Sequence, residues 1–329
     1  MKPLIKKLTE TFSPSGYESA IREVIQEEIK DFVDEIRVDA LGSLIARKGS
    51  GGKKIMLAAH MDEIGLIVNH VDENGFARFT TLGGFVPHTL IGARVRFLNG
   101  TYGLVAGEYL TEPKKLIPLD KMFIDVGASS PKDCPVQIGD VAAMERPFHD
   151  LGDRIIAKSM DNRVSVAVLI ETMRQLKSTP HEIYFVFTTQ EETSVRGATT
   201  SAFGIDPDIG IALDITPAGD TPDSPVRTRL GKGPAIKIKD VGIVSDPRLV
   251  NWIIRTAEKA NLPYQREALT LGSTDARAIQ LTRSGVPASA ISVPCRYVHS
   301  PSEMVDYKDV KNTVKLLVAL LRKEIKLGS

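Results

Sequence analysis

The chain has 329 residues, 42% of them hydrophobic and 25% charged, the composition of a globular protein of about two domains. That excludes a disordered, collagen-like or coiled-coil chain. Its 42 Lys and Arg against 41 Asp and Glu leave a net charge of +1, without the basic excess of a nucleic-acid binder or a charged tail. Two cysteines, Cys134 and Cys295, are too few for a disulfide framework. The start, Met1-Lys2-Pro3-Leu4-Ile5-Lys6-Lys7, lacks the apolar run of a signal peptide. No stretch reaches the ~18 apolar residues of a membrane span. The expectation is a cytoplasmic protein with neither nucleic-acid nor membrane partner.

Ser15 and Glu18 have capping-box spacing and predict a helix over 15–33, with Ile21, Val24, Ile25, Ile29 and Phe32 as its apolar face. Strands are predicted at 35–38 and 43–47, and Gly49-Ser50-Gly51-Gly52 marks a turn. The apolar run 54–59 reads as a buried strand ending at His60. From 67 to 154 strands are short and turns frequent, with hairpin signals at Asn74-Gly75 and Asn99-Gly100. Helix and strand then alternate again. Helices are predicted at 161–177 and 274–283, strands at 182–189, 209–215 and 288–293, and a closing amphipathic helix at 306–325. Asp246-Pro247 opens a further helix with a cap residue and Pro at its first position. The pattern predicts an α/β domain of residues 1–66 and 155–329, split by an inserted β domain of residues 67–154.

Five short segments carry acidic or His residues at predicted strand ends or helix starts. They are His60-Met61-Asp62, Ser159-Met160-Asp161-Asn162, Gln190-Glu191-Glu192, Leu213-Asp214-Ile215 and Val298-His299-Ser300-Pro301. Sites form at the carboxyl ends of strands in open α/β sheets, so the five are read together. Carboxylates brought together in a desolvated place raise one another's pKa. Divalent cations relieve that repulsion, and mixed His and carboxylate donors suit zinc, cobalt or manganese better than calcium or magnesium. Asp62, two residues beyond His60, can fix the second imidazole nitrogen. Adjacent Glu191 and Glu192 diverge on an extended chain, so one can ligate while the other moves a proton. Each segment alone also fits an ordinary role. Asp161 suits an N-cap, Asp214 a turn and His299 a loop. His70, His88, His149 and His181 have no acidic partner at ligand-like spacing.

The segments Ala58-Ala59-His60-Met61-Asp62-Glu63-Ile64-Gly65, Ala157-Lys158-Ser159-Met160-Asp161-Asn162-Arg163, Gln190-Glu191-Glu192, Asp214-Ile215-Thr216, Ala218-Gly219-Asp220-Thr221-Pro222 and His299-Ser300-Pro301-Ser302-Glu303-Met304 occur in this order. In this the chain resembles the tetrahedral-type metallo-aminopeptidases, the glutamyl and deblocking enzymes also often labelled cellulase or endoglucanase. The resemblance implies a three-layer α/β sandwich of the two-zinc aminopeptidase kind, with an inserted small β-barrel-like domain for oligomerisation. It implies two divalent metal ions per chain, zinc or cobalt. Asp161 would bridge them, His60 and Asp214 would complete one site, and Glu192 and His299 the other. Glu191 would be general base and acid for a water attacking a short peptide behind its N-terminal residue, and Asp62 would orient His60. Ser273, Thr274 and Asp275 would contact substrate. The assembly implied is a homo-oligomer, a dimer or a hollow tetrahedral dodecamer. One departure stands out. Where the family commonly has a Val-Gly-Leu type segment, this chain has Thr193-Ser194-Val195 before Arg196-Gly197-Ala198, which bears on loop shape and substrate preference.

Two rival readings make different demands. A glycoside hydrolase needs carboxylates roughly 5 to 9.5 Å apart across a sugar bond, whereas Glu191 and Glu192 diverge. One Trp and 6% aromatic residues offer few platforms for stacking sugars. A catalytically dead peptide-binding scaffold would lack a ligand, and none is missing.

Overall fold

The apolar runs assemble into an eleven-stranded sheet and a closed six-stranded barrel. The computed structural model describes residues 1–109 and 116–327. Helices α1 (Lys2–Glu10) and α2 (Ser19–Ile29) precede β1 (Glu35–Val38), β2 (Leu44–Lys48) and β3 (Lys54–His60). The barrel strands follow: β4 (Gly65–Val71), β5 (Ala77–Leu82), β6 (Arg94–Phe97), β7 (Tyr102–Gly107), β8 (Met122–Asp125) and β9 (Val141–Met144). The chain then forms β10 (His149–Leu151), β11 (Arg154–Ala157), α3 (Met160–Gln175), β12 (Glu182–Thr188), α4 (Arg196–Ile205) and β13 (Ile209–Pro217). It ends with β14 (Ala235–Lys239), α5 (Pro247–Lys259), β15 (Gln265–Ala268), α6 (Ala276–Gln280), β16 (Ala288–Arg296), β17 (Glu303–Asp306) and α7 (Tyr307–Leu321).

Side chains alternate across a strand, and here the alternation builds two cores. Ile55, Leu57 and Ala59 of β3 pack with Phe185 and Phe187 of β12 and with α1, α2, α3, α5 and α7. The intervening Met56, Ala58 and Val186 pack under α4 and α6 through Ala202, Ile205 and Ile279. The sheet thus has helices on both faces, the α/β sandwich expected. Its order is β1-β2-β12-β3-β13-β16-β17-β11-β10, with β14 pairing with β16 and β15 with β14 off that path. Strands β12, β3, β13 and β16 are parallel neighbours, so their carboxyl ends share one edge. The barrel closes in the order β4-β5-β8-β7-β6-β9 around Leu66, Val68, Val95, Phe97 and Ile124. Both Asn-Gly pairs lie in its hairpin turns. Asp72 accepts the backbone N–H groups of Asn74 and Phe76 at 3.0 Å, and Gly75 takes the positive φ of +85° that this turn requires.

Four expectations shift. The helix predicted from residue 15 begins at Ser19, because Ser15 and Glu18 spend their side chains elsewhere. Ser15 donates to Asp62, and Glu18 accepts from the backbone of Gly16 and Gln190. The predicted helix 274–283 contracts to Ala276–Gln280. Helices α1 and α4 and strands β14, β15 and β17 arise where the sequence had signalled no element. Within the barrel segment the strands run from Gly65 to Met144, and β10 pairs with β11 in the large sheet. Among the described residues no helix is long and apolar enough to cross a membrane.

The start of α5 follows its sequence signal. The Asp246 carboxylate accepts the N–H groups of Arg248 at 2.8 Å and Leu249 at 3.4 Å. Asp246→Ala should lower stability by about 1 kcal/mol, and Asp246→Asn should retain most of it. Urea unfolding of the three proteins measures both.

Candidate metal centre

Three parallel strands deliver the ligand-type residues to one place. His60 ends β3, Asp214 lies late in β13, and Glu191 and Glu192 follow β12. Asp161 comes from the first turn of α3, and His299 from the loop after β16. Asp161 divides its carboxylate between the two imidazoles: Oδ1 lies 3.0 Å from His60 Nε2, and Oδ2 lies 3.4 Å from His299 Nε2. Asp214 Oδ1 and Glu191 Oε2 each lie 3.9 Å from His60 Nε2. Glu192 Oε2 lies 3.2 Å from His299 Nε2. His60-Asp161-Asp214, Asp161-Glu192-His299 and His60-Glu191-Glu192 each bring their ligand atoms within 4.8 Å of one another.

Asp62 and Glu303 build the frame. Asp62 is buried beside His60, and its carboxylate accepts Glu191 N–H at 3.0 Å, Glu192 N–H at 3.2 Å and Ser15 Oγ–H at 2.7 Å. Its carbonyl oxygen lies 3.2 Å from His60 Nδ1. A proton on Nδ1 is accommodated there, which leaves Nε2 free to donate its lone pair. Glu303 accepts the N–H of Asp161 at 2.9 Å through one oxygen and that of His299 at 2.8 Å through the other. Asn162 donates to Leu213 O at 2.7 Å and so ties the start of α3 to β13 beside Asp214. Non-glycine residues with positive φ cluster in these loops: Ser159, Gln190, Ser194, Val195 and His299. Such backbone persists only where its surroundings over-determine it.

The charges are unbalanced without cations. Burial, with repulsion from Asp214 and Glu192, holds the Glu191 carboxyl well above its usual range despite His60. Burial and Asp161 do the same to Asp214. Burial also raises Glu192. Burial pushes Glu303 up to about 8, with Asp161 adding to the shift. The histidines answer in the opposite sense. Burial disfavours their charged forms, yet hydrogen bonds to Asp161 and Asp62 and the field of Glu191 raise His60 well above 6.5. Glu192 and Asp161 overcome burial to raise His299 to about 12. Asp161 is held below its ordinary range against its own burial by the two imidazoles. Glu192 Oε1 is buried without a hydrogen-bond partner. Carboxylates that raise one another, imidazoles drawn toward protonation and an orphaned oxygen all describe a place for cations. The mixed His and carboxylate donors fit zinc-like ions.

A cavity of about 550 Å³ opens beside this cluster. His60, Asp161, Glu191, Glu192, Asp214 and His299 form one end of it, and Ser273 and Thr274 also line it. Asp275 lies behind the lining. It is buried, accepts a hydrogen bond from Thr188 Oγ1 at 2.5 Å, and is raised to about 6 chiefly by burial. The barrel reaches the site through the turn after β5. A Cβ on Gly83 would stand 3.1 Å from Glu192 Oε2, and one on Gly84 would stand 3.2 Å from His299 Nδ1. The sequence carries no sign of the parts played by Glu303 and this Gly-Gly pair, and in it Ser15 and Glu18 read as a helix cap, whereas their side chains serve Asp62 and the Gln190 backbone. Glu303 stands four residues after His299, in the segment His299-Ser300-Pro301-Ser302-Glu303-Met304.

The sequence pattern of the M42 glutamyl aminopeptidase family matches residues 42–316. A lysyl aminopeptidase of Pyrococcus furiosus is 38% identical over 97% of this chain and 96% of its own. The TET1 peptidase of Pyrococcus horikoshii, described as assembling into a tetrahedron or a large octahedral shell, superposes with a TM-score of 0.88 at 33% identity, covering 98% of this chain and 99% of that one. A Thermotoga maritima protein described as an endoglucanase superposes with a TM-score of 0.81 at 32% identity, covering 97% and 96%. With the family pattern spanning most of its length, this chain belongs to the M42 family and is a metallo-aminopeptidase.

Proposed function

We propose that this aminopeptidase removes N-terminal residues from short peptides with two divalent ions, zinc or cobalt. Asp161 would bridge the pair, His60 and Asp214 would complete one site, and Glu192 and His299 the other. The observation that carries this reading is the divided Asp161 carboxylate, one oxygen toward His60 and the other toward His299. When bound, such ions polarise a scissile carbonyl and make water more acidic.

The chain's own residues supply the rest. Glu191 takes a proton from the attacking water and delivers it to the departing amine. It suits that task because it lines the cavity while Asp62 holds its backbone N–H. Asp62 orients His60 and fixes the turn that separates Glu191 from Glu192. Ser273 and Thr274 contact the substrate, and Asp275 supports them from behind. The division of labour we assign is a catalytic domain built on the large sheet, which takes β10 (His149–Leu151) with it, and an inserted domain built on the barrel strands Gly65 to Met144, in place of the expected boundaries at 66/67 and 154/155. The working form is a cytoplasmic homo-oligomer, a dimer or a tetrahedral dodecamer, with the inserted domain supplying contacts.

The rival readings gain nothing from the geometry. A dead scaffold has no reason to retain every expected ligand in one buried cluster. A glycosidase needs two carboxyls flanking an open cleft, and here the carboxylates crowd around two imidazoles.

Glu191→Gln should keep its metal by elemental analysis and lose about 10²–10⁴-fold in kcat on aminoacyl anilides; unchanged turnover would sink the mechanism. A chelator should abolish hydrolysis, and added zinc or cobalt should restore it. Sugar release from cellulose that survives the chelator would favour the glycosidase instead. Glu303→Ala removes the acceptor of two ligand-bearing N–H groups. Its metal affinity should fall about 10–100-fold in a metal titration, with the far-ultraviolet circular dichroism of the wild type retained.

A further inference from the structure

Away from the metal ligands the cavity is walled largely by apolar side chains, among them Ile215, Leu269 and Val298. One buried cation interrupts them. Lys237 of β14 lines the cavity yet is only 2% exposed. Its neighbour in register on β15 is Glu267, 3% exposed. Lys237 Nζ lies 2.5 Å from Glu267 Oε2 and 3.4 Å from Thr216 Oγ1. Thr216 and Thr228 donate to Glu267 Oε1 at 2.5 and 3.1 Å. The lysine therefore meets the pocket with its charge already balanced. Arg277 also lines the cavity but is exposed, where solvent screens it.

We infer that the pocket beside the metal centre selects an uncharged, apolar N-terminal side chain, and that Glu267 sets this selectivity by cancelling Lys237. The inference rests on the aminopeptidase reading above. An acidic side chain placed against the pair would leave two buried negative charges with one cation. A lysyl side chain would leave two cations with one carboxylate. Either excess charge is costly in a desolvated place, whereas a leucyl or methionyl side chain leaves the pair intact and covers the apolar wall.

The test is a panel of leucyl, methionyl, glutamyl and lysyl anilides with the metal-loaded protein. Calorimetric binding of the free amino acids runs beside it. The wild type should prefer leucyl or methionyl over glutamyl and lysyl substrates by about tenfold or more in kcat/KM, and the amino acids should bind in the same order. Glu267→Gln retains an acceptor for both threonines and exposes the lysine's charge, so the ratio of glutamyl to leucyl turnover should rise about tenfold. The double variant Lys237→Met with Glu267→Gln, neutral again, should return to the wild-type order. Glutamyl or lysyl turnover equal to leucyl in the wild type would overturn the inference, as would an unchanged ratio in Glu267→Gln. Turnover of any panel member supports the aminopeptidase reading by itself. If none is turned over, that reading fails, while the binding order still decides the charge of the pocket.

Discussion

Crowding of negative charge is the constraint from which the rest of this structure follows. Asp161, Glu191, Glu192 and Asp214 converge on two imidazoles at one sheet edge, all of them largely withdrawn from water. Isolated buried carboxylates would neutralise by taking protons. Here they have neighbours whose positions suit metal ions, and the backbone is arranged to keep them together without a lysine or arginine among them. The near-zero net charge of the chain conceals this concentration of one sign, since the balancing basic residues lie elsewhere.

Holding such a cluster requires donors that cannot move away. Asp62 and Glu303 supply carboxylates that take up backbone N–H groups of Asp161, Glu191, Glu192 and His299. Behind them runs a second chain of contacts. Arg163, fully buried in α3, donates to Leu8 O, Thr11 O and Ser13 O. That pins the segment after α1, from which Ser15 and Glu18 reach Asp62 and Gln190. Glu63 balances Lys158 and lies 3.7 Å from Arg163. The helix that carries Asp161 thus also fastens the segment that steadies Glu191 and Glu192.

Much of the site was legible because each ligand-type residue follows an apolar run or opens a helix. Burial of the run fixes where the strand ends, and parallel pairing brings those ends to one edge. The spacing of Ser15 and Glu18 misled for the opposite reason. It satisfies a local rule, but their partners Asp62 and Gln190 lie 47 and 172 residues away. No periodicity reports such a distance. The supporting role of Glu303 is hidden in the same way, because it acts on backbone groups that only the tertiary fold aligns. Gly83 and Gly84 carry no sequence signal of their role, which is to leave room, by their lack of side chains, for Glu192 and His299. The short α6 reflects the same limit. Thr274 bonds to Ala276 N–H, and Asp275 is engaged by Thr188, so the residues expected to begin the helix are occupied just ahead of it.

The departure at Thr193-Ser194-Val195 carries a backbone cost. Ser194 has φ +91° and Val195 has φ +50°. Glycine tolerates that region freely, and a β-branched valine does so poorly, at a cost of order 1–3 kcal/mol. The chain therefore places its stiffer residues where a glycine-containing segment would be relaxed. The compensation is local: Thr193 Oγ1 lies 3.1 Å from Ser15 Oγ, and the N–H groups of Ser194 and Val195 both return to Glu191 O. Ser15 in turn bonds to Asp62. The strained turn is therefore tied, through Ser15, to Asp62, which fixes the Glu191 and Glu192 backbone. Because Ser194 and Val195 also line the cavity, the departure shapes the pocket wall while every residue of the metal cluster is kept.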